Sequence, residues 1–129
     1  MKRDTLLSAQ EQNDTDVQSN LASAYEKLGE ALIGQGKPGE ALENFRISLQ
    51  MFDSLVSKHP NHADWDSAVA FTCLQIARTL PLTTAASPEE IRTNLTRARD
   101  ILLSKKQRYP LGVVDEGRLS AIEDNLRNF

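Results

Sequence analysis

Residues 25–45 decide the fold. They read Tyr25-Glu26-Lys27-Leu28-Gly29-Glu30-Ala31-Leu32, then the break Gly34-Gln35-Gly36-Lys37-Pro38-Gly39, then Ala41-Leu42-Glu43-Asn44-Phe45. Apolar residues recur at three- and four-residue steps on both sides of the break, the period of helices rather than strands. The break itself is rich in glycine and carries a proline, the residues that punctuate chains. The stretch predicts a helix, a tight turn and a second helix. Gly29 and Ala41 are small where two antiparallel helices must approach closely.

The pattern recurs along the chain. Residues 15–32 align with 63–80 at an offset of 48, matching Asp16 to Asp64, Ser19 to Ser67, Ala22 to Ala70 and Leu32 to Leu80. Residues 38–60 align with 88–110 at an offset of 50, so that Pro38, Glu40, Asn44, Ser54 and Pro60 recur as Pro88, Glu90, Asn94, Ser104 and Pro110. The difference of two falls in the turn, where 81–87 replaces the shorter glycine-rich loop, and exposed turns are where insertions are tolerated.

The frame Tyr25-x-x-Leu28-Gly29-x-x-Leu32, followed by Ala41-x-x-x-Phe45, resembles the signature of the tetratricopeptide repeat (TPR) family. Ser48 stands where that family prefers alanine and Asp53 where it prefers its closing proline. Pro60 comes seven residues later, as if the second helix were longer by about two turns. The repeat length near 50 also exceeds the family's usual 34. The resemblance implies an all-α fold of antiparallel helix pairs stacked as a short right-handed solenoid of about five helices. One domain spans 1–129, divided into an N-terminal stub (1–14), repeat one (15–60), repeat two (61–110) and a capping helix (111–129).

Taken in order, the stub carries Leu6-Leu7 and then turns polar. Helix one is expected from Thr15 to Ile33, capped by Thr15 or Asp16, with a buried stripe of Val17, Leu21, Ala24/Tyr25, Leu28 and Leu32. Helix two follows Pro38, buries Ala41, Phe45, Leu49, Phe52 and Leu55/Val56, and ends at His59-Pro60. Helix three starts near Ala63, buries Trp65, Val69, Cys73, Ile76 and Leu80, and stops at Pro81. Helix four opens on Ser87-Pro88-Glu89-Glu90, a capping box, and buries Ile91, Leu95, Ala98 and Ile101/Leu102. A last amphipathic helix from about Asp115 carries Leu119, Ile122, Leu126 and Phe129, and is expected to cover the open end of the stack.

Bulk properties narrow the function. The chain has 129 residues, 40% hydrophobic and 26% charged, with a net charge of −3. That describes one ordinary domain, and the charge argues against nucleic acid or an anionic membrane as the main partner, because both want a basic face. A single cysteine cannot form an internal disulfide and fits a reducing, cytoplasmic setting. The N-terminus lacks the apolar run of a signal peptide.

Chemistry-bearing residues form no catalytic constellation. His59 and His62 are separated by a helix-breaking proline, and zinc would need one or two further ligands, for which Asp64 and Asp66 are the only candidates nearby. Cys73 lies on an apolar stripe and reads as a buried thiol. Gly34, Gly36 and Gly39 have no preceding strand and no following Gly-Lys-Ser/Thr, so they serve a turn rather than a phosphate. Lys105-Lys106-Gln107-Arg108 ends a helix where the dipole favours cations. The expectation is a non-enzymatic module with no cofactor and no metal.

Binding by shape remains. The TPR resemblance implies a concave groove lined by the first helices of each pair, taking an extended peptide or a helix of a partner protein. On the Tyr25-Leu28-Gly29 frame the groove positions are Ser23, Glu26, Lys27, Glu30 and Ile33 of helix one, and Phe71, Leu74, Gln75 and Arg78 of helix three. Phe71 and Leu74 are expected to be an exposed apolar pair. Family members that hold carboxylate tails use Lys and Asn where this chain has Glu26 and Glu30, so a mixed or basic-amphipathic ligand is implied instead. The alternative is a structural piece that scaffolds a larger assembly or forms a homo-oligomer through its open N-terminal end, at Leu6 and Leu7.

Overall fold

The computed structural model describes residues 9–60, 62–84 and 87–128. Five α-helices follow one another: α1 (Ala9–Gly34), α2 (Pro38–Lys58), α3 (Ala63–Thr79), α4 (Pro88–Arg108) and α5 (Val113–Arg127). A 3₁₀ turn, Leu80–Leu82, extends α3. The described residues contain no strand.

Helix boundaries follow local chemistry. The turn after α1 is a Schellman closure: Lys37 N–H bonds the Leu32 carbonyl and Gly36 N–H that of Ile33. Gly36 adopts φ of 76°, the left-handed conformation this closure requires. Ser87 caps α4, its hydroxyl accepting from Glu90 N–H at 3.3 Å, with Pro88 in the first turn. Asn44 and Asn94, equivalent in the internal alignment, make the same bond, each donating to the carbonyl of Glu40 and Glu90 respectively.

Contacts set the directions. Gly29 faces Phe45, and Ala22 accepts from Ser48, so α1 and α2 are antiparallel. Asp66 pairs with Arg108 and Ser67 with Lys105, so α3 and α4 are too. Arg46–Glu90 and Asp53–Arg97 join α2 to α4 at the same sequence offset, 44 residues in each case, which makes those helices parallel. Trp65 donates to Ser19 across α1 and α3. Ser67 donates to Asp115, and Arg118 lies over Phe71, across α3 and α5. Helices α1, α3 and α5 therefore run one way and α2 and α4 the other. The closest packing follows chain order, α1 on α2, α2 on α3, α3 on α4 and α4 on α5, with α3 also touching α5. Among the described residues no comparable interface joins α1 to α4, as a closed four-helix bundle would need.

The main core joins Phe52, Leu55, Val69, Cys73, Leu74, Leu95, Leu102, Leu119 and Ile122. A second cluster of Ala41, Leu42, Phe45, Ile76 and Leu80 fills the space under the first turn. Close approach is enforced at Gly29, where a Cβ would lie 2.6–2.9 Å from three carbons of the fully buried Phe45 ring. Buried Ser48 donates to the Ala22 carbonyl at 2.8 Å, which satisfies its hydroxyl.

Three expectations need correction. Helix α1 does not start at Thr15; residues from Ala9 are already helical, so Thr15 and Asp16 lie inside it rather than capping it. Residues 10–14 are polar but include good helix formers, and Gln10 Nε2 bonds Asp14 Oδ1 one turn on. Leu6 and Leu7 fall outside the described residues. Second, Val17, Leu21 and Leu28 are not buried but 57%, 47% and 49% exposed. The face of α1 turned to α2 is instead the one carrying Ala22 and Gly29, because small residues let the backbones close in. Third, the last helix begins at Val113, two residues before Asp115; Phe129 falls outside the described residues.

Candidate binding groove

Helices α1 and α3 run parallel without close backbone approach, and side chains bridge the seam between them. Trp65 Nε1–H reaches Ser19 Oγ at 3.3 Å near one end. Trp65 is also stacked by His62, with ring centroids 3.8 Å apart, and met by His59 at 5.4 Å with the rings tilted by 60°. The two histidines thus fix an indole at the corner between hairpins. Among the described residues no three His, Cys, Asp or Glu converge in a way that could hold a metal ion.

At the other end of the seam Glu30 and Ile33 of α1, Gln75, Arg78 and Thr79 of α3, and Leu82 of the 3₁₀ turn enclose a cleft of about 220 Å³. Four of these six were groove positions by sequence. Thr79 and Leu82 were missed; Leu82, apolar directly after the helix-stopping Pro81, was the available signal. Ser23 is half-buried and Lys27 exposed, and neither lines the cleft. Glu26 is half-buried, with Oε2 shut off from solvent. Arg78 also lines a second cleft of about 440 Å³, on the α5 side, with Ala77, Pro81, Ile91, Leu95, Asn125 and Asn128.

The expected exposed pair Phe71 and Leu74 is corrected. Leu74 is fully buried in the main core. The sequence reading gave α3 a single buried stripe, but α2, α4 and α5 all pack on it, so Val69, Ala70, Thr72, Cys73, Leu74, Ile76 and Ala77 are all buried. Phe71 is half-buried, with the Arg118 guanidinium 4.1 Å from its ring centroid in a cation–π contact. It belongs to the α3–α5 junction.

That junction has a polar core that the sequence did not announce. Lys105 Nζ lies 2.7 Å from Asp115 Oδ2, Ser67 Oγ donates to the same oxygen at 2.8 Å, and Arg118 approaches Oδ1 at 3.5 Å. Burial pushes the Asp115 carboxyl pKa up, but the bonds from Lys105 and Ser67 and the charges of Lys105 and Arg118 outweigh it and hold it below the ordinary aspartate value. The basic run at the end of α4 is therefore committed within the fold, with Lys106 near Glu116 and Arg108 paired to Asp66. Burial raises the Cys73 thiol to about 11, against the lowering effect of Arg97. At neutral pH it is a protonated core residue rather than a nucleophile.

A further hollow, about 610 Å³, runs along Arg92, Thr93, Thr96, Arg97, Asp100, Ile101, Ser104 and Arg108 of α4, with Asp66 at its edge. A hollow lined by one side of one helix is a surface trough, not an enclosed site. No protein-family model, curated protein or solved structure matches the chain.

Proposed function

We propose that the protein is a TPR-like interaction module: a short right-handed stack of helix pairs that binds a peptide or helix of a partner protein along the groove of α1 and α3. The observation that carries this reading is the cleft shared by Glu30, Ile33, Gln75, Arg78, Thr79 and Leu82. It draws on both hairpins, mixes apolar and charged walls, and at about 220 Å³ suits one or two side chains rather than a small molecule, whose sites run to about 300–1,000 Å³. The packing order, with no α1–α4 interface comparable to those between consecutive helices among the described residues, supports stacked pairs over a closed bundle. Among the described residues no nucleophile–base pair supports an enzymatic alternative, and a cytoplasmic setting with no nucleic acid, membrane or cofactor partner remains part of the proposal.

The test is site-specific photo-crosslinking in cells that produce the protein. A photo-reactive residue at Leu82 should capture a partner, and one at exposed Ser57 should not; Arg78→Glu should abolish the Leu82 product. Equal capture at both sites would refute groove binding. A second reading, self-association through the N-terminal edge, is favoured by the exposed line Val17, Leu21 and Leu28 on α1. Products of twice the chain mass, formed from position 21 and lost in Val17→Gln/Leu28→Gln, would favour it.

A further inference from the structure

Helix α1 carries an apolar line on the side away from α3, about half a helical turn round from Ser19 and Ile33, which meet that helix. Val17, Leu21, Ala24, Leu28 and Ala31 recur at alternating four- and three-residue steps, the spacing of a coiled-coil seam, and all five are exposed. Three of the exposed large apolar residues stand on this line, and among the described residues no other helix shows such a row.

The internal repeat shows what such a line does. Forty-eight residues on, Val17, Leu21, Ala24 and Leu28 become Trp65, Val69, Thr72 and Ile76 of α3. There Val69, Thr72 and Ile76 are buried. Val69 shares a cluster with Phe52 and Leu55, and Ile76 another with Ala41, Leu42 and Phe45, all of them α2 residues. Fifty residues further, Leu119 and Ile122 of α5 stand at the places of Val69 and Thr72 and are buried too, as α5 packs on α4. The line is thus the face on which a first helix takes an antiparallel helix of the preceding pair, and on α1 no described helix covers it.

We infer that α1 of a second copy fills this face, running antiparallel about a two-fold axis; the inference rests on the self-association reading above and gives it a geometry. Two-fold symmetry supplies the antiparallel direction that α2 has on α3 and lets one patch serve both sides. With the axis between residues 22 and 23, Val17 packs on Leu28 of the second copy and Leu21 on its Ala24, while Ala31 meets Asp14 at the rim. Asn20 then lies opposite Lys27 and Gln18 opposite Tyr25, so no like charges face each other along the seam. The α1–α3 groove stays open on the far side. One helix pair buries less than the ~1,200–2,000 Å² of a stable complex, so the dimer is a weak one.

Sedimentation velocity of the full chain from about 5 to about 500 µM should show one chain at the lower end and two at the upper. Leu21→Glu/Leu28→Glu should stay single throughout, as should Ala24→Glu, which removes no large side chain. At about 5 µM both variants should match the wild type in helical content. Spin labels on Asn13→Cys and on Asn20→Cys read the direction, since fully buried Cys73 takes no label. Along the helix axis the two labels at 20 should lie about 8 Å apart and those at 13 about 28 Å, whereas parallel helices give one spacing at both. A wild type that stays single at the highest concentration, or a dimer unaffected by the folded Glu variants, overturns the inference and self-association through α1 together. A dimer that the variants disperse but whose two label spacings are equal overturns the antiparallel seam and leaves self-association standing.

Discussion

Replacing Gly29 by alanine tests the packing that makes the first hairpin. At an ordinary helical position this change stabilises by about 0.8–1.0 kcal/mol through helix propensity. At Gly29 the new methyl would meet three Phe45 ring carbons at 2.6–2.9 Å, far inside contact distance. Phe45 is fully buried among Ala41, Leu42, Ile76 and Leu80, so the ring has no free space to enter. Overpacking of this kind costs about 1–3 kcal/mol, which leaves Gly29→Ala about 0–2 kcal/mol less stable than the wild type. Gly117 supplies the control: it is helical, exposed, and an added Cβ would meet nothing within 4 Å. Gly117→Ala should stabilise by about 1 kcal/mol. The difference between the variants cancels propensity and isolates the clash. Urea unfolding followed by circular dichroism measures both, and Phe45→Leu in the Gly29→Ala background should recover part of the loss as a coupling energy. If Gly29→Ala stabilised as much as Gly117→Ala, the close approach of α1 and α2 would be wrong.

Other substitutions probe separate features. Asp115→Ala, which leaves Lys105 half-enclosed without its counterion, should cost about 3 kcal/mol at pH 7. Because the folded Asp115 pKa is depressed, its contribution is fully present above the unfolded value near 4 and disappears as pH falls through the folded pKa. Wild type and Asp115→Ala should therefore converge in stability in acid, and a gap that persists there would show the loss to be one of packing. Gly36→Ala forces a side chain into the left-handed conformation and should cost about 1–2 kcal/mol in urea unfolding, with α-helical content unchanged. Leu74→Ala should cost about 2–5 kcal/mol, whereas Leu21→Gln/Leu28→Gln should stay within about 0.5 kcal/mol per site; thermal melts of both would expose any error in which leucines hold the fold.

The order of elements was readable because its signals are local. Pro38, the capping Ser87 with Glu90, and the prolines at 60, 81 and 110 act within a few residues, and the helices α2, α3 and α4 begin and end close to where these placed them. Burial was harder to read, since it depends on which neighbours a helix acquires. On α1 two faces compete: one carries Val17, Leu21 and Leu28, the other Ala22 and Gly29, and hydropathy favours the first while close packing selects the second. On α3 three packing partners turn most of the circumference inward, which removes Leu74 from the groove. Glu30, Ile33, Gln75 and Arg78 were placed on one seam by the TPR-like frame of Tyr25, Leu28 and Gly29, and the structure brings them to a common cleft. The Ser67–Lys105–Asp115 cluster was not legible, for its members come from three helices and none is unusual in its own segment.

The groove takes one wall from each hairpin, and those walls are joined mainly behind it. Backbone packing between the hairpins runs through α2 on α3, while α1 reaches α3 through side chains. The width of the cleft is therefore a lever-arm reading of the α2–α3 dihedral, in the way that the gap between two covers depends on the spine of a book. Phe52, Leu55 and Val69 lie in that spine, away from the cleft, and a change in their volume is expected to alter the span between Glu30 and Arg78. If the cleft binds a peptide as proposed, its affinity and selectivity are thereby open to tuning from the core, with the cleft's own residues left untouched.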